Sequence, residues 1–367
     1  MNALTGRERV RRALAFQGPD RAPRDLWVMP IVRRDRADEL AGVQTRFPSD
    51  IDRAPMIWGR SQRARILGGS DQEGHLDAVA GAMVGAAEFR AEFAARCRVG
   101  RFLDEWGSQW RALEPGVVGE VAVPALADWS ALSAYQPPYE VLEGLDVSPS
   151  VAHYDASDRF VLAHSSVQPF QRVLFLRGFA NLMMDLADRR AELRDLLRLV
   201  HAYYVEELRR LAGVAADGIV FKDDWGSQTG LLIAPRQWRE WFKPLYAEYC
   251  EMIHAAGKAA FFHSDGHITA IVPDLIEIGV DAVNAQLFCM DIEALAKAHR
   301  GRITLWGEID RQRVLAFGGP DEARAAVRRV RRAFDDGRGG LIAQCEWAKD
   351  VPAETVAAVF EAWQEPL

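Results

Sequence analysis

Residues 258–284 read KAAFFHSDGHITAIVPDLIEIGVDAVN, and this stretch decides the fold. An apolar run, Ala259 to Phe262, stops at His263, Ser264, Asp265 and Gly266. A helix-spaced set follows (Ile268, Ile271, Leu275, Ile276, Ile278), then Gly279 and a second apolar run. The order is strand, polar loop, helix, strand. His263 and Asp265 stand where the first strand hands over to its loop. In parallel α/β folds, chemistry is assembled at the carboxyl ends of strands.

The same period recurs outward from this unit. RFVLAHS from Arg159, GIVFKDD from Gly218 to Asp224, Ile303 to Trp306 and Leu341 to Ala343 are further strands. Helices are predicted through His201 to Leu211, from Pro235 to about Ala256 and from Ala353 to Trp363. Thr5 caps a first helix to about Gln17, with Glu8 completing a capping box, and Gly18-Pro19-Asp20 break it. Arg24 to Met29 is a first strand. Seven strands are visible, and an eighth is expected in the hairpin region or in the less regular first third. This pattern predicts an α/β chain folded as a (β/α)8 TIM barrel in one domain, 1–367. Residues 1–100 supply mainly helical cover plus the first strand, with an alanine-rich stretch from Leu76 to Cys97 as a helical cap. Residues 101–150 supply an inserted β-hairpin turning around Glu114, Pro115 and Gly116, followed by a loop-rich connection. Residues 159–367 carry the regular βα units. No glycine-rich dinucleotide fingerprint follows a strand, and GRGG at 337–340 precedes one.

Composition narrows the function. The chain of 367 residues has a net charge of -7 and no basic tract interleaved with aromatics, which argues against nucleic acid as a partner. No run of 18 apolar residues and no leader-like opening occur, so no membrane association is expected. Cys97, Cys250, Cys289 and Cys345 are scattered without CxxC spacing, as in a reducing, cytoplasmic setting.

The expected strand ends carry His164; Lys222, Asp223 and Asp224; His263 and Asp265; Asn284 and Gln286; Glu308 and Asp310; and Gln344, Cys345 and Glu346. Imidazole, thiolate and carboxylate donors converging from several strands make a zinc set, because zinc accepts N, S and O ligands. Each residue also has a structural reading. His263 after two phenylalanines fits a histidine bonded to backbone, Cys345 in an apolar strand fits packing, and Asp265 before Gly266 fits a helix cap.

Several blocks resemble the uroporphyrinogen decarboxylase superfamily. They are LTGRERVRRALAFQGPDRAP (4–23), DEWGSQW (104–110) followed by PGVVGE (115–120), QRVLFLRGFANLMMDL (171–186), KDDWGSQTGLLIAPRQWREWFKP (222–244) and FFHSDGHITAIVPDLIEIGVDAVNAQ (261–286). They stand in the family's order across nearly the whole chain and resemble most its cobalamin-linked methyltransferase branch. The barrels of that branch hold zinc with His-x-Cys after one strand and a Cys after a late strand. Here the first motif is His263-Ser264-Asp265, with Asp in place of Cys, and the late cysteine matches Cys345 in GLIAQCEW. The resemblance thus implies a zinc ion on His263, Asp265 and Cys345, with Glu308 and Glu346 as alternatives to Asp265. It implies Asp224, His164 and Glu308 as catalytic groups, and Trp27, Met29, Trp225, Asn284 and Gln286 against the substrate.

Replacing a thiolate by a carboxylate hardens the Lewis acid and favours an oxygen ligand. The expected reaction is therefore O-demethylation of a methyl ether, such as a methoxylated aromatic, with the methyl group passing to a corrinoid. No DxHxxG-type corrinoid signature occurs in the chain, so the corrinoid (cobalamin) is expected on a partner protein. The other readings are methyl transfer to a thiol or other acceptor, porphyrinogen decarboxylation, and noncatalytic docking of a corrinoid protein. The decarboxylase's Arg-rich RQAGR-type motif is absent after Pro23, where the chain reads RDLWVMPIVRR.

Overall fold

The computed structural model describes residues 4–67, 100–113 and 119–366, and these form two compact units. The alanine-rich stretch 76–97 and the turn expected at 114–116 lie outside the described residues. The first unit comprises Met1–Ala54, Ala152–Ser165 and Ala215–Leu367; the second comprises Pro55–Val151 and Ser166–Val214. In chain order, β1 (Arg24–Val28) and β2 (Ile51–Arg53) belong to the first unit, and β3 (Arg65–Leu67), β4 (Gly100–Leu103), β5 (Gln109–Ala112) and β6 (Glu120–Val123) to the second. The chain then returns to the first unit for β7 (Phe160–His164), β8 (Gly218–Lys222), β9 (Ala259–Ser264), β10 (Ala282–Ala285), β11 (Thr304–Trp306) and β12 (Leu341–Trp347).

Eight strands of the first unit form one parallel sheet in the order β1-β12-β11-β10-β9-β8-β7-β2. β1 and β2 share no ladder, but Asp50 N–H donates to the Arg24 carbonyl (2.9 Å) and the Asp50 carbonyl accepts from Phe160 N–H (2.9 Å). The sheet is thus a nearly closed (β/α)8 barrel, as the sequence predicts. The eighth strand is β2, in the first third of the chain. At three residues, IDR, it is too short to announce itself by alternation.

One interior layer sets the orientation of every strand. Ile51, Leu162, Val220, Phe261, Ala282, Trp306 and Ile342, from seven different strands, share a buried cluster with Val10. Val10 comes from the first helix, Gly6–Leu14, which caps that layer. Thr5 accepts from Glu8 N–H at its start, as expected, and the helix ends at Leu14 rather than Gln17. Side chains alternate along a strand. Two residues on from that layer, the same inner face presents Arg53, His164, Lys222, His263, Asn284 and Gln344. Intervening residues such as Phe221 and Phe262 face outward and meet Tyr246 on the helix Lys243–Ala255, with ring centroids 6.2 and 5.7 Å apart.

Other boundaries moved for local reasons. The helix expected from Pro235 to Ala256 is two helices, Pro235–Trp241 and Lys243–Ala255, because Pro244 lacks the N–H that a continuous helix needs. β9 and β12 run beyond their apolar cores, so His263, Gln344, Cys345 and Glu346 lie within strands rather than in loops.

In the second unit, β3 to β6 form an antiparallel sheet rather than one hairpin. The first tight turn is at Asp104–Ser108, where the Asp104 carboxylate accepts from Ser108 N–H (2.8 Å) and from Trp110 Nε1 (2.8 Å). Trp106 packs edge-on to Tyr203 of the helix Ala191–Leu211, with centroids 4.7 Å apart.

Candidate metal and active site

The site is built on His263 at the end of β9. Its Nδ1 lies 2.6 Å from Asn284 Oδ1, on the neighbouring strand β10. The Asn284 amide is oriented by the Trp306 carbonyl, which accepts from Nδ2 at 2.5 Å. A carbonyl cannot donate, so Asn284 presents Oδ1 to the ring and Nδ1 carries the proton. Nε2 then faces two carboxylates: Asp224 Oδ1 at 3.6 Å and Asp265 Oδ1 at 3.7 Å. Donor atoms of Asp224, His263 and Asp265 all lie within 4.8 Å of one another.

Two loops hold this arrangement. Asp265 N–H donates to Asp224 Oδ1 (3.0 Å), and Gly226 N–H donates to the Asp265 carbonyl (3.0 Å). Gln286 Oε1 accepts from Gly266 N–H (3.0 Å), tying the loop after β9 to the end of β10. Gly266 has φ of +81°, and a Cβ there would lie 2.1 Å from the Gly226 carbonyl oxygen. The two loops therefore meet glycine on glycine.

Among the expected residues, His263 and Asp265 come together as donors. Cys345 does not join them. Its neighbours Gln344 and Glu346 belong to the inner face, so Cys345 shares the outer face with Ala343 and Trp347, is fully buried, and its thiol is pushed up chiefly by burial. Asp224, expected as a catalytic group, takes the third donor position. Asp223 beside it is fully buried, unlike Asp224, and its Oδ2 accepts from Tyr246 Oη at 2.5 Å. Trp225, expected against the substrate, is fully buried too, with its indole donating to Tyr246 Oη (3.0 Å). Asn284 positions His263, and Gln286 braces a loop. Trp27 does face the site, its ring centroid 5.4 Å from that of His263. Asp25 Oδ2 accepts from the indoles of Trp27 (2.8 Å) and Trp306 (2.9 Å) and fixes both. Met29 follows just past β1. His164 lies on the inner face of β7, where burial and then the charges of Arg53, Lys222 and His263 hold its pKa well below the usual range.

Arg311 is not among the residues that the sequence singles out. Its Nη2 lies 2.5 Å from Asp265 Oδ1, its Nε 3.1 Å from Glu308 Oε1, and its Nη1 contacts both Glu346 oxygens at 3.0 and 3.1 Å. Burial opposes its charge, but Glu308, Glu346 and Asp265 outweigh that and raise its pKa. Burial pushes the Glu308 carboxyl up to about 8 against the pull of Arg311. The only sequence sign of this hub is a run of charges, EIDRQR, just after β11. A neighbouring cavity of about 310 Å³ is lined by Gln286, Cys289, Glu308 and Arg311 among others.

The donors fit a divalent ion. One imidazole lone pair and two carboxylates form an N,O,O set of the kind that zinc accepts while leaving a position open. Asn284 supplies the supporting hydrogen bond that such a histidine ligand needs.

Fold and site together define an α/β barrel with its polar groups gathered at the carboxyl ends of the strands. The sequence profile of the uroporphyrinogen decarboxylase (URO-D) family matches residues 124–366, and the chain belongs to that family. Among solved structures it is similar to a methyltransferase from Methanosarcina mazei, with a TM-score of 0.67 and 13% identity over 98% of each chain. Similarity to the 3-keto-D-glucoside 4-epimerase YcjR from E. coli is weaker, with a TM-score of 0.38 and 11% identity over 59% of this chain and 84% of that one. No curated protein matches the chain. Among the described residues, no helix is long and apolar enough to cross a membrane.

Proposed function

We propose that the chain is a metal-dependent methyltransferase that takes a methyl group from a methyl ether, of the methoxylated-aromatic kind, to the cobalt of a reduced corrinoid carried by a separate protein. The observation that carries this reading is His263 Nε2, held by Asn284 towards Asp224 and Asp265 at the barrel mouth. His263, Asp224 and Asp265 would hold a zinc ion, in place of the His263, Asp265 and Cys345 set suggested by the sequence. When bound, the ion supplies Lewis-acid polarisation of the ether oxygen. Trp27 offers an aromatic wall beside it. In such a transfer the methyl–oxygen bond would break with its electron pair left on oxygen, and the reduced corrinoid of the partner protein would be the methyl acceptor. Glu308, with its pKa near 8, holds a proton at neutral pH that can pass to the departing oxygen and be replaced from water. The fold relative from M. mazei, itself a methyltransferase, supports the same class.

The decarboxylase alternative is disfavoured by the mouth itself. Asp224, Asp265 and Glu346 gather there with Arg311 already paired to two of them, an unfavourable field for a substrate bearing many carboxylates. The test is to load the purified chain with zinc and incubate it with 4-methoxybenzoate and chemically reduced cobalamin. Release of the phenol together with the absorbance change of methylcobalamin is expected. Absence of both across a panel of methyl ethers, with zinc bound, would refute the reading.

A further inference from the structure

One oxygen among the candidate metal donors already has a cation on it. Asp265 Oδ1, 3.7 Å from His263 Nε2, lies 2.5 Å from Arg311 Nη2. The oxygen is closed off from solvent, and the contact makes no directed hydrogen bond, so charge alone holds it. The directed hydrogen bonds of Arg311 go to Glu346 on β12, whose two oxygens both accept from Nη1, at 3.0 and 3.1 Å. Nε faces Glu308 Oε1 at 3.1 Å. Nη2 is thus the nitrogen that reaches the donors, and Arg311 can part from Asp265 while Glu346 and Glu308 keep it in the mouth.

Asp224 and Asp265 bring carboxylate oxygens within 4.8 Å of one another beside His263. Carboxylates that close repel each other, and shielding from water strengthens the repulsion. Arg311 supplies the opposing charge. A divalent ion held by His263, Asp224 and Asp265 would supply it as well, and the two cations would then repel each other across a shared oxygen. We infer that Arg311 is a resident counter-cation of the metal site: it occupies Asp265 while the site is empty, gives that oxygen up when the site fills, and so lowers the affinity for the ion and keeps loading reversible. The inference rests on the metal reading above and adds a residue that competes with the ion. A residue that merely braced the mouth would act in the opposite sense, because its loss would loosen Asp265 and weaken the site.

The test measures zinc affinity by competition with a chelator, and melting temperature with and without zinc, for the wild-type chain, Arg311→Gln and Arg311→Lys. Removing a unit charge this close to the ion predicts roughly 10- to 100-fold tighter zinc binding by Arg311→Gln. The same variant without metal should melt below the wild type, because three carboxylates have lost their cation, and zinc should close that gap. Arg311→Lys keeps the charge and should stay close to the wild type in affinity. The gain in Arg311→Gln should vanish when His263→Ala is added, and a gain that survives overturns the inference by placing the ion elsewhere. Should the metal-free Arg311→Gln chain not fold, zinc should rescue it; a chain that stays unfolded in excess zinc overturns the inference. The two readings separate cleanly. Zinc bound by the wild type and lost in His263→Ala, with Arg311→Gln binding no tighter, removes the counter-cation and leaves the metal site. Zinc bound by Arg311→Gln but not by the wild type supports the counter-cation, and zinc bound by neither overturns both.

Discussion

Asp224 and Cys345 are the two residues whose roles the structure exchanges. Both neighbour residues of similar chemistry or burial, and only the face of the strand separates a donor from a packing group. Asp224→Asn should therefore lose stoichiometric zinc, because an amide oxygen is a far weaker ligand than a carboxylate. Cys345→Ala should retain zinc and show only the stability loss of a small buried side chain. Metal analysis of the two purified variants checks this, and the opposite pattern would restore Cys345 to the site. Asn284→Ala tests the tautomer argument. Without Oδ1 to hold Nδ1–H, the ring is free to protonate Nε2 instead, and zinc affinity should fall roughly 10- to 100-fold in a competition titration.

Elements carry these residues into place through short loops of unusual closeness. Gly266 shows how little room they leave. Its φ of +81° and the 2.1 Å that would separate an added Cβ from the Gly226 carbonyl oxygen mean that Gly266→Ala must move one loop or the other. A non-glycine residue in that conformation costs about 1–3 kcal/mol in backbone strain alone. The variant should melt earlier and bind zinc less than stoichiometrically, since displacement carries Asp265 away from His263. Normal zinc content with an unchanged melting temperature would show that the loops give more easily than this packing implies. A charge on the loop after β11 also governs pH behaviour. Glu308 has its folded pKa raised from 4.5 to about 8 by burial, so between those values the folded state holds a proton that the unfolded state has released. Stability from this group is complete below about pH 4.5 and is lost as pH rises through 8. Denaturant titrations of the metal-free protein should show that decline, and Glu308→Gln should flatten it.

At the scale of the barrel, closure depends on one buried carboxylate. Asp50 precedes the three-residue β2, and its backbone links Arg24 to Phe160. Its side chain accepts from Arg9 Nη1 (2.5 Å), Arg21 Nη1 (2.6 Å) and Arg24 N–H (2.7 Å). Arg9 is itself buried. Asp50→Ala leaves that cation short of a partner and should cost about 3–5 kcal/mol, read from denaturant midpoints. A loss under 1 kcal/mol would mean that Asp20, the other partner of Arg9, suffices.

The sequence by itself determined the alternation of strand, loop and helix. A period of two followed by helical spacing is written along the chain and needs no distant contact to be read. For the same reason it placed His263, Asp265 and Glu308 at strand ends, together with the Thr5 cap. It could not determine which member of an adjacent pair turns inward. That depends on the layer formed by Ile51, Leu162, Val220, Phe261 and their neighbours, and a shift of one residue exchanges the faces. Tertiary structure therefore chose Asp224 over Asp223 and Gln344 over Cys345, recruited the three residues of β2, and brought Arg311 onto three carboxylates from three different strand ends. Each of these outcomes rests on contacts between segments far apart in the chain, where local spacing carries no signal.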